Sequence, residues 1–475
     1  MAVSAPDPRR WFVLAVVGAA FFMTILDVSI VNVALPTIAA KLHFSRENIQ
    51  WVVTAYALSF GGFLLLGGRS ADLLGRRRVF MVGVALFSAA SLVCGLAHSE
   101  GVLIAARAVQ GLGGAVISPA ALSIVSTTFE EGADRNKALG IWGALGGSGA
   151  AVGVLLGGVL TKYLGWEWIF FVNVPVGALV LALTPRIIRE SRVEMEEHHY
   201  DPFGAITVTG GLALLVYAIS RAPFVGWGTP RTILLLFASV ALLLAFLVIE
   251  RVQRQPLMPF RIFRIRTVAG ANVVAFLLGG VVFSNFFVLT LYVQGVLGYS
   301  ALKAGLTFLA TAGTAVVSAG VAQALVTRVG VKPILALGLL LMTVGMVWYT
   351  QIPVDGKFGP DLLPGYLFVG VGIAFSFVPV TIAALAGVGH DEAGLGSGLI
   401  NTTQQIGGAI GVALASTVFT SHIGSGRPTP KTFTDGYALS FWVMVAFGVA
   451  AILATLAFIR REEIEEAPEP SPIPG

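Results

Sequence analysis

The sequence predicts an all-α polytopic membrane protein with fourteen transmembrane helices. Hydrophobic residues form 56% of the chain and charged residues only 12%, whereas a soluble domain carries about 25% charged residues. Fourteen apolar segments approach the roughly 20 residues that a helix needs to cross a bilayer. Lys and Arg are concentrated in alternate connections between these segments, as the positive-inside rule describes for chains that cross a membrane many times.

The predicted spans follow one another along nearly the whole chain. In order they are residues 11–35, 50–68, 79–97, 102–124, 137–160, 167–185, 203–221, 231–250, 267–295, 303–325, 333–351, 363–388, 397–420 and 436–459. Of the 30 Lys and Arg residues, 20 lie at the termini or in even-numbered connections and 9 lie on the opposite side. We therefore expect a multi-pass protein of the cell membrane with both termini in the cytoplasm. The net charge of +5 then reflects topology and not a nucleic-acid partner.

Two long charged connections divide the spans into groups of six, two and six. The predicted organisation is a six-helix half over residues 10–190, a linker with two extra helices over 191–262, and a second six-helix half over 263–460. Residues 461–475 are acidic and rich in proline, which predicts a disordered cytoplasmic tail. The single Cys residue excludes a disulfide framework and a Cys-based metal site, and we expect no cofactor and no metal.

Two charged residues lie well inside predicted spans, away from the span ends, where a charge costs about 2.5 to 3.5 kcal/mol on insertion scales. Asp27 is the one acid well inside a span, and Arg107 lies in span four. At 1.5 Å per residue, Asp27 lies about 12 Å and Arg107 about 8 Å from the outer ends of their spans. The two residues could pair or share one hydrated pocket. The alternative for Arg107 is a structural bond to backbone carbonyls or to Gln110.

Several segments resemble the major facilitator superfamily, and within it the fourteen-span drug:proton antiporter family. They read LDVSIVNVALP at 26–36, GRSADLLGRRR at 68–78, RAVQGLGG at 107–114, GVLLGG at 153–158 and FVNVPVG at 171–177. The resemblance implies the major facilitator fold, with two six-helix halves plus two extra linker helices. It also implies a secondary transporter that acts in multidrug efflux.

The loop after span two contains an acid, a glycine and three arginines in a short space. The resemblance suggests that it acts as a conformational latch on the cytoplasmic side, formed by Gly68, Asp72, Gly75, Arg76 and Arg77. The alternative is a tight turn with topogenic charges. Gly330, after span ten, occupies the place that Gly75 has in the first half, which supports an internal repeat.

Span five is rich in glycines at four-residue spacing, which lets helices approach closely. We assign packing or flexing of this helix to Gly149, Gly153, Gly157 and Gly158. The antiporter family usually has Pro after the first glycine of the GVLLGG segment, and Val154 stands there in this chain. The kink that a proline would supply is therefore not expected.

Polar side chains within apolar spans are candidates for lining a substrate cavity. They are Asn32, Gln110, Asn173, Asn285, Tyr292, Thr311, Asn401, Gln404 and Gln405. The alternative for each is an ordinary hydrogen bond between helices, which contributes about 0.6 kcal/mol on average.

Together these features predict proton-coupled export of amphipathic drugs or drug-like metabolites. A carboxyl group in a partly dry site takes up a proton more readily than one in water, so Asp27 is the predicted protonation site and Arg107 its partner. The expected partners are a small-molecule substrate, protons and the lipid bilayer, and the protein is expected to function as a monomer. The alternatives are a proton-coupled importer or a dedicated exporter of one metabolite. The spans contain no pair of carboxylates or histidines for acid–base or metal chemistry, so we do not expect an enzyme.

Overall fold

The computed structural model describes residues 9–45, 47–129, 133–191, 201–253, 263–386, 393–423 and 429–460. Every regular element in these ranges is a helix. The α-helices are α1 Arg10–Lys41, α2 Trp51–Leu74, α3 Arg76–Gly95, α4 Glu100–Thr128, α5 Ala133–Tyr163, α6 Trp168–Phe171, α7 Asn173–Ile187, α8 Pro202–Val225, α9 Pro230–Val252, α10 Arg266–Gly295, α11 Ala301–Val329, α12 Val331–Tyr349, α13 Leu363–Leu385, α14 Ala393–Ile423 and α15 Pro430–Phe458. A π-helical turn, Phe358–Leu362, precedes α13.

Within the described ranges, 13 helical segments are long and apolar enough to cross a membrane. α6 and α7 together form one of them, Trp168–Ile187, and the π-helical turn with α13 forms another. The remaining predicted span corresponds to α5, whose described apolar part is Val152–Tyr163. A helix satisfies all of its backbone hydrogen bonds internally, which a bilayer demands of a spanning segment. The predicted all-α polytopic membrane fold is confirmed.

Short polar side chains and prolines begin several of the helices. Asp201 accepts a hydrogen bond from the Gly204 N–H at 2.7 Å at the start of α8, and Ser99 accepts one from the Val102 N–H at 3.4 Å at the start of α4. Proline occupies the first turn of α8, α9 and α15. These residues suit a helix start because its first N–H groups have no partner within the helix.

Two glycines in left-handed backbone conformations separate corresponding helices. Gly75 has φ 103° between α2 and α3, and Gly330 has φ 95° between α11 and α12. Only glycine adopts such angles without a steric penalty. The two residues that the sequence repeat aligns therefore have the same backbone role.

The chain forms two compact units. The first contains Met1–Leu257 and Leu289–Ala312, and the second contains Met258–Val288 and Gly313–Gly475. α8 and α9 therefore cluster with the helices that precede them, and α10 and α11 each contribute residues to both units. The predicted domain boundaries at 190, 262 and 460 stay predictions.

α4 packs closely against α2 and α3 in the first unit. A Cβ atom on Gly111 would lie 2.4 Å from the Tyr56 carbonyl oxygen, and one on Gly113 would lie 2.7 Å from the Phe87 nitrogen. No larger residue fits at these two positions without a backbone shift. α4 therefore presents Arg107 and Gln110 directly to its neighbouring helices.

Candidate functional site

The two charged residues of the spans form a buried ion pair in the first unit. Asp27 on α1 is 0% exposed and Arg107 on α4 is 1% exposed. The Arg107 guanidinium donates to Asp27 Oδ2 at 2.5 Å, and its Nε donates to the Val52 carbonyl of α2 at 2.9 Å. The depths estimated from the sequence left open whether the two residues pair or only share a pocket. In the structure they are bonded directly.

Two amide side chains complete the hydrogen bonding of the Asp27 carboxylate. Gln110 on α4 donates to Oδ1 at 2.7 Å and Asn173 on α7 donates to the same oxygen at 3.1 Å. The Gln110 oxygen accepts from Arg107 at 2.6 Å. Three side chains from two helices therefore donate to one carboxylate. Gln110 and Asn173, which the sequence predicted as cavity residues, thus bind the Asp27 carboxylate directly.

Sequence reasoning missed Ser91 and Tyr56, which also belong to this network. Ser91 on α3 accepts from Gln110 at 2.8 Å and from Asn173 at 3.4 Å. The Tyr56 ring of α2 lies 4.4 Å from the guanidinium carbon of Arg107. Tyr56 lies five residues after the start of α2 and Ser91 lies four residues before the end of α3. Because successive spans run in opposite directions, the depth argument used for Arg107 could have found both residues.

The Tyr56 ring should stabilise the site through its π face and not through its hydroxyl. The hydroxyl is buried and makes no hydrogen bond in the described part of the chain. A desolvated cation–π contact contributes about 2 kcal/mol. We expect Tyr56→Leu to lower the free energy of unfolding by about that amount, and Tyr56→Phe to change it by less than about 0.5 kcal/mol. Thermal unfolding of the purified variants measures the difference, and equal losses in both would show that the ring face does not matter.

The α5 glycines lie against α1 beside Asp27. A Cβ on Gly153 would lie 2.8 Å from the Leu26 carbonyl oxygen, and one on Gly157 would lie 2.8 Å from the Ile30 carbonyl oxygen. Gly149 meets the Ile25 side chain at 2.8 Å, and Gly158 meets the Leu302 Cα at 2.7 Å. The α5 helix continues through Val154 without a break. These four glycines therefore allow α5 to approach α1 and α11 closely.

Gly153→Ala should destabilise the protein because the new methyl group meets the backbone of α1. Gly313→Ala is a matched control, since Gly313 is also inside a helix and a Cβ there has nothing within 4 Å. Replacing helical Gly by Ala normally stabilises by about 0.5 to 1 kcal/mol. We expect thermal unfolding to shift downward for Gly153→Ala and slightly upward for Gly313→Ala. A rise in both melting temperatures would mean that α5 does not need its close approach.

The start of α3 is bound to the segment that follows α7, in part through Glu190. The Arg77 backbone N–H donates to Glu190 Oε1 at 3.0 Å, and the Arg77 side chain donates to the Ile188 carbonyl at 3.3 Å. The Arg76 N–H donates to the Ser191 carbonyl at 2.9 Å. Glu190, which the sequence analysis did not single out, is thus an acidic partner of the predicted latch.

The other predicted latch residues have different surroundings. Gly68 faces Pro119, whose Cβ would lie 3.4 Å from an added methyl group. The Asp72 side chain lies outside the described residues. The role of this loop as a latch stays a prediction.

The remaining predicted cavity residues are dispersed over both units. In the first unit, Tyr292 and Thr311 are buried, and the Asn32 side chain donates to the Val28 carbonyl at 2.8 Å. In the second unit, Asn285 is buried, Gln404 and Gln405 are partly exposed, and Asn401 is exposed. Their role in a cavity is not tested by these positions.

Two further carboxyl groups are buried at the α8–α9 pair. Asp201 and Glu250 are 1% and 2% exposed. An oxygen of each lies within 3.0 Å of the position that a Cβ on Gly204 would take. Both residues are at helix ends, which is why a search for acids in the middle of spans passed over them.

In the described part of the chain, no cluster of three or more His, Cys, Asp or Glu side chains could hold a metal ion.

Comparison with known proteins identifies the family. The sequence profile of the Major Facilitator Superfamily matches residues 17–412. The chain belongs to this superfamily. It is 40% identical to a puromycin resistance protein of Streptomyces alboniger, over 98% of this chain and 94% of that protein. It is 38% identical to a cephamycin export protein of Amycolatopsis lactamdurans, over 93% of this chain and 91% of that protein.

A multidrug resistance protein of Mycobacterium tuberculosis is 36% identical over 85% of this chain and 75% of its own length. Two solved transporter structures share the fold. A peptide transporter superposes with a TM-score of 0.68 at 17% identity, over 95% of both chains. A nucleoside transporter superposes with a TM-score of 0.66 at 13% identity, over 94% of this chain and 99% of the other. The predicted superfamily, fold and transporter class are confirmed, and the protein is a transporter and not an enzyme.

Proposed function

We propose that this transporter exports amphipathic drugs or drug-like metabolites in exchange for protons, with Asp27 as the protonation site. The observation that carries the proposal is the fully buried Asp27–Arg107 pair inside apolar helices. Ionisable residues within membrane spans are costly, and they mark proton and substrate paths. The puromycin, cephamycin and multidrug resistance functions named for its relatives support an exported, drug-like substrate.

The geometry suggests what protonation would change. Asp27 is the α1 member of the network, and its donors lie on α4 and α7. A neutral carboxyl group has an O–H donor in place of one acceptor position, so it cannot keep all three donors equally well. Arg107 retains the Val52 carbonyl and the Gln110 oxygen. Protonation therefore loosens α1 from α4 and α7 while Arg107 keeps its place on α2 and α4.

Loosening of α1 would bias the carrier between its two access states. In secondary transporters of this fold, alternating access is largely a rocking of one repeat against the other. A proton taken from outside would favour the state open to the cytoplasm, where substrate binds. Loss of that proton would restore the ion pair and favour release outside. One proton site then serves import of protons and export of substrate.

We further propose a location in the cell membrane with both termini in the cytoplasm. The distribution of Lys and Arg among the connections supports this orientation. The network around Asp27 lies within one chain, so a monomer contains every residue the mechanism uses. The partners are a small molecule, protons and lipid, with no nucleic acid.

The principal alternative is a dedicated exporter of one metabolite. It is favoured by relatives named for a single antibiotic, puromycin or cephamycin. A proton-coupled importer is a second alternative, and only the direction of transport separates it from an exporter.

Everted membrane vesicles test these alternatives directly. An imposed gradient, acid inside, should drive uptake of labelled puromycin and of a panel of amphipathic dyes. A protonophore should abolish that uptake. Uptake of one compound only would favour the dedicated exporter. Substrate movement out of the everted vesicles with the proton gradient would favour an importer, and uptake that ignores the gradient would contradict proton coupling.

A further inference from the structure

The backbone of α1 has a gap in its hydrogen bonding shortly after Asp27. Pro36 lies inside α1 and has no N–H for the carbonyl of Asn32, four residues earlier. The Asn32 side chain does not close this gap, because its nitrogen donates backward to the Val28 carbonyl at 2.8 Å. Its Oδ1 is buried without a hydrogen bond in the described chain. Residues 28–36 therefore form a segment of α1 with weaker hydrogen bonding than a regular helix has.

A side chain from α10 binds the carbonyl that follows this gap. Gln294 Nε2 donates to the Val33 carbonyl of α1 at 2.7 Å. Gln294 belongs to the segment Leu289–Ala312, which clusters with the first unit. Its neighbours Tyr292 and Val293 are fully buried, so the amide extends from a closely packed part of α10. Val33 lies six residues beyond Asp27, about 9 Å along the helix.

We propose that Gln294 is a positioning residue that couples the protonation of Asp27 to the position of the C-terminal end of α10. The proposal rests on Asp27 as the proton site. With Asp27 charged, α1 is bonded at one place to Arg107, Gln110 and Asn173 and at the other to Gln294. The first part of the weakly supported segment, residues 28–32, lies between these two attachments. Release of α1 at Asp27 displaces that segment, and the displacement reaches α10 through Gln294.

The charged and titratable groups that face Asp27 in the described structure lie on three helices. They are Arg107 on α4, Tyr56 on α2 and Cys94 on α3. α7 faces Asp27 with the neutral Asn173, and the described part of α5 faces its helix with glycines. A response of α1 to mildly acid pH is therefore assigned to Asp27.

Gln294→Met tests the coupling because it keeps the length of the side chain and removes the donor. We measure hydrogen–deuterium exchange of the amides of residues 28–35 at mildly acid and mildly alkaline pH, with no substrate present. Because intrinsic amide exchange is base-catalysed and slows as pH falls, every rate is divided by the intrinsic rate at the same pH. After this correction, wild type should exchange faster at acid pH. In Gln294→Met, exchange at alkaline pH should already be about threefold faster, the effect of one average interhelical hydrogen bond in a membrane protein, and its dependence on pH should shrink.

Two further variants make the result specific. Gln323→Met makes the same substitution at an exposed position of α11 and should leave exchange in α1 and substrate counterflow unchanged. Gln294→Asn withdraws the amide by one methylene group and should reproduce the loss of pH dependence even if the Met variant folds poorly. Wild-type exchange and wild-type counterflow in both Gln294 variants would overturn the proposal. Failure of the proposed function would appear separately, as gradient-driven export by Asp27→Asn.

Discussion

Asp27→Asn should abolish export driven by a pH gradient while leaving the protein folded. Asn cannot take up or release a proton, so the cycle loses the step that couples it to the gradient. Arg107 keeps its bonds to the Val52 carbonyl and Gln110 and its contact with the Tyr56 ring, which limits the cost of the unpaired guanidinium. Uptake into everted vesicles should fall to the level of empty vesicles at every imposed gradient.

Substrate counterflow provides the control for that experiment. Counterflow exchanges labelled for unlabelled substrate and needs alternating access but no net proton movement. Asp27→Asn should retain counterflow that no longer varies with pH. Loss of counterflow together with loss of the folded protein would reveal a structural role only. Full gradient-driven export by this variant would refute Asp27 as the proton site.

Arg107→Met should both destabilise the protein and stop export. Removing one member of a buried ion pair leaves an uncompensated charge and costs about 3 to 5 kcal/mol. Asp27 can avoid that charge by holding a proton permanently, and in that case the site no longer cycles. We expect a lower melting temperature and at least about a tenfold loss of gradient-driven export, equivalent to 1.4 kcal/mol.

The double variant Asp27→Asn with Arg107→Met separates stability from transport. It removes both charges, and replacing both members of a buried pair is often neutral for stability. The melting temperature should therefore return toward that of wild type, while gradient-driven export stays absent. An ion pair of purely structural importance predicts that export recovers along with stability. A double variant less stable than Arg107→Met would show that the two residues do not act as a pair.

The sequence predicted the fold well because the physical demand on each span is local. Apolar length and the absence of charge define a membrane helix within one window of residues, and the predicted spans match the described helices with end shifts of several residues. Helix starts follow the same logic, as Asp201 shows with its bond to the Gly204 N–H. The depth of Asp27 and Arg107 could also be read from the chain, because each residue adds a known rise to a helix.

The contents of the site could be predicted only in part. Depth along a helix does not give the direction in which a side chain points across the bundle. Gln110 and Asn173 were recognised as candidate cavity residues, a role that stays a prediction, but their bonds to the Asp27 carboxylate were not foreseen. Ser91 and Tyr56 were overlooked because their residue types are common in membrane helices. Glu190 was overlooked because it lies in a charged connection between spans, where an acid carries no free-energy cost of membrane insertion.

By itself, the sequence determined the number and order of the membrane helices and the presence of two costly charges in the first unit, and it supports the proposed orientation. These properties depend on single segments and their transfer from water to lipid. Only the tertiary structure decided that Arg107 bonds Asp27, that three donors share one carboxylate, and that Gln294 binds the carbonyl of Val33 beside the gap at Pro36. Such contacts depend on how closely the helices approach and how they are rotated. Gly111, Gly113 and Gly153 determine the distance and the rotation between helices, because each allows a contact with a residue that is distant in the chain.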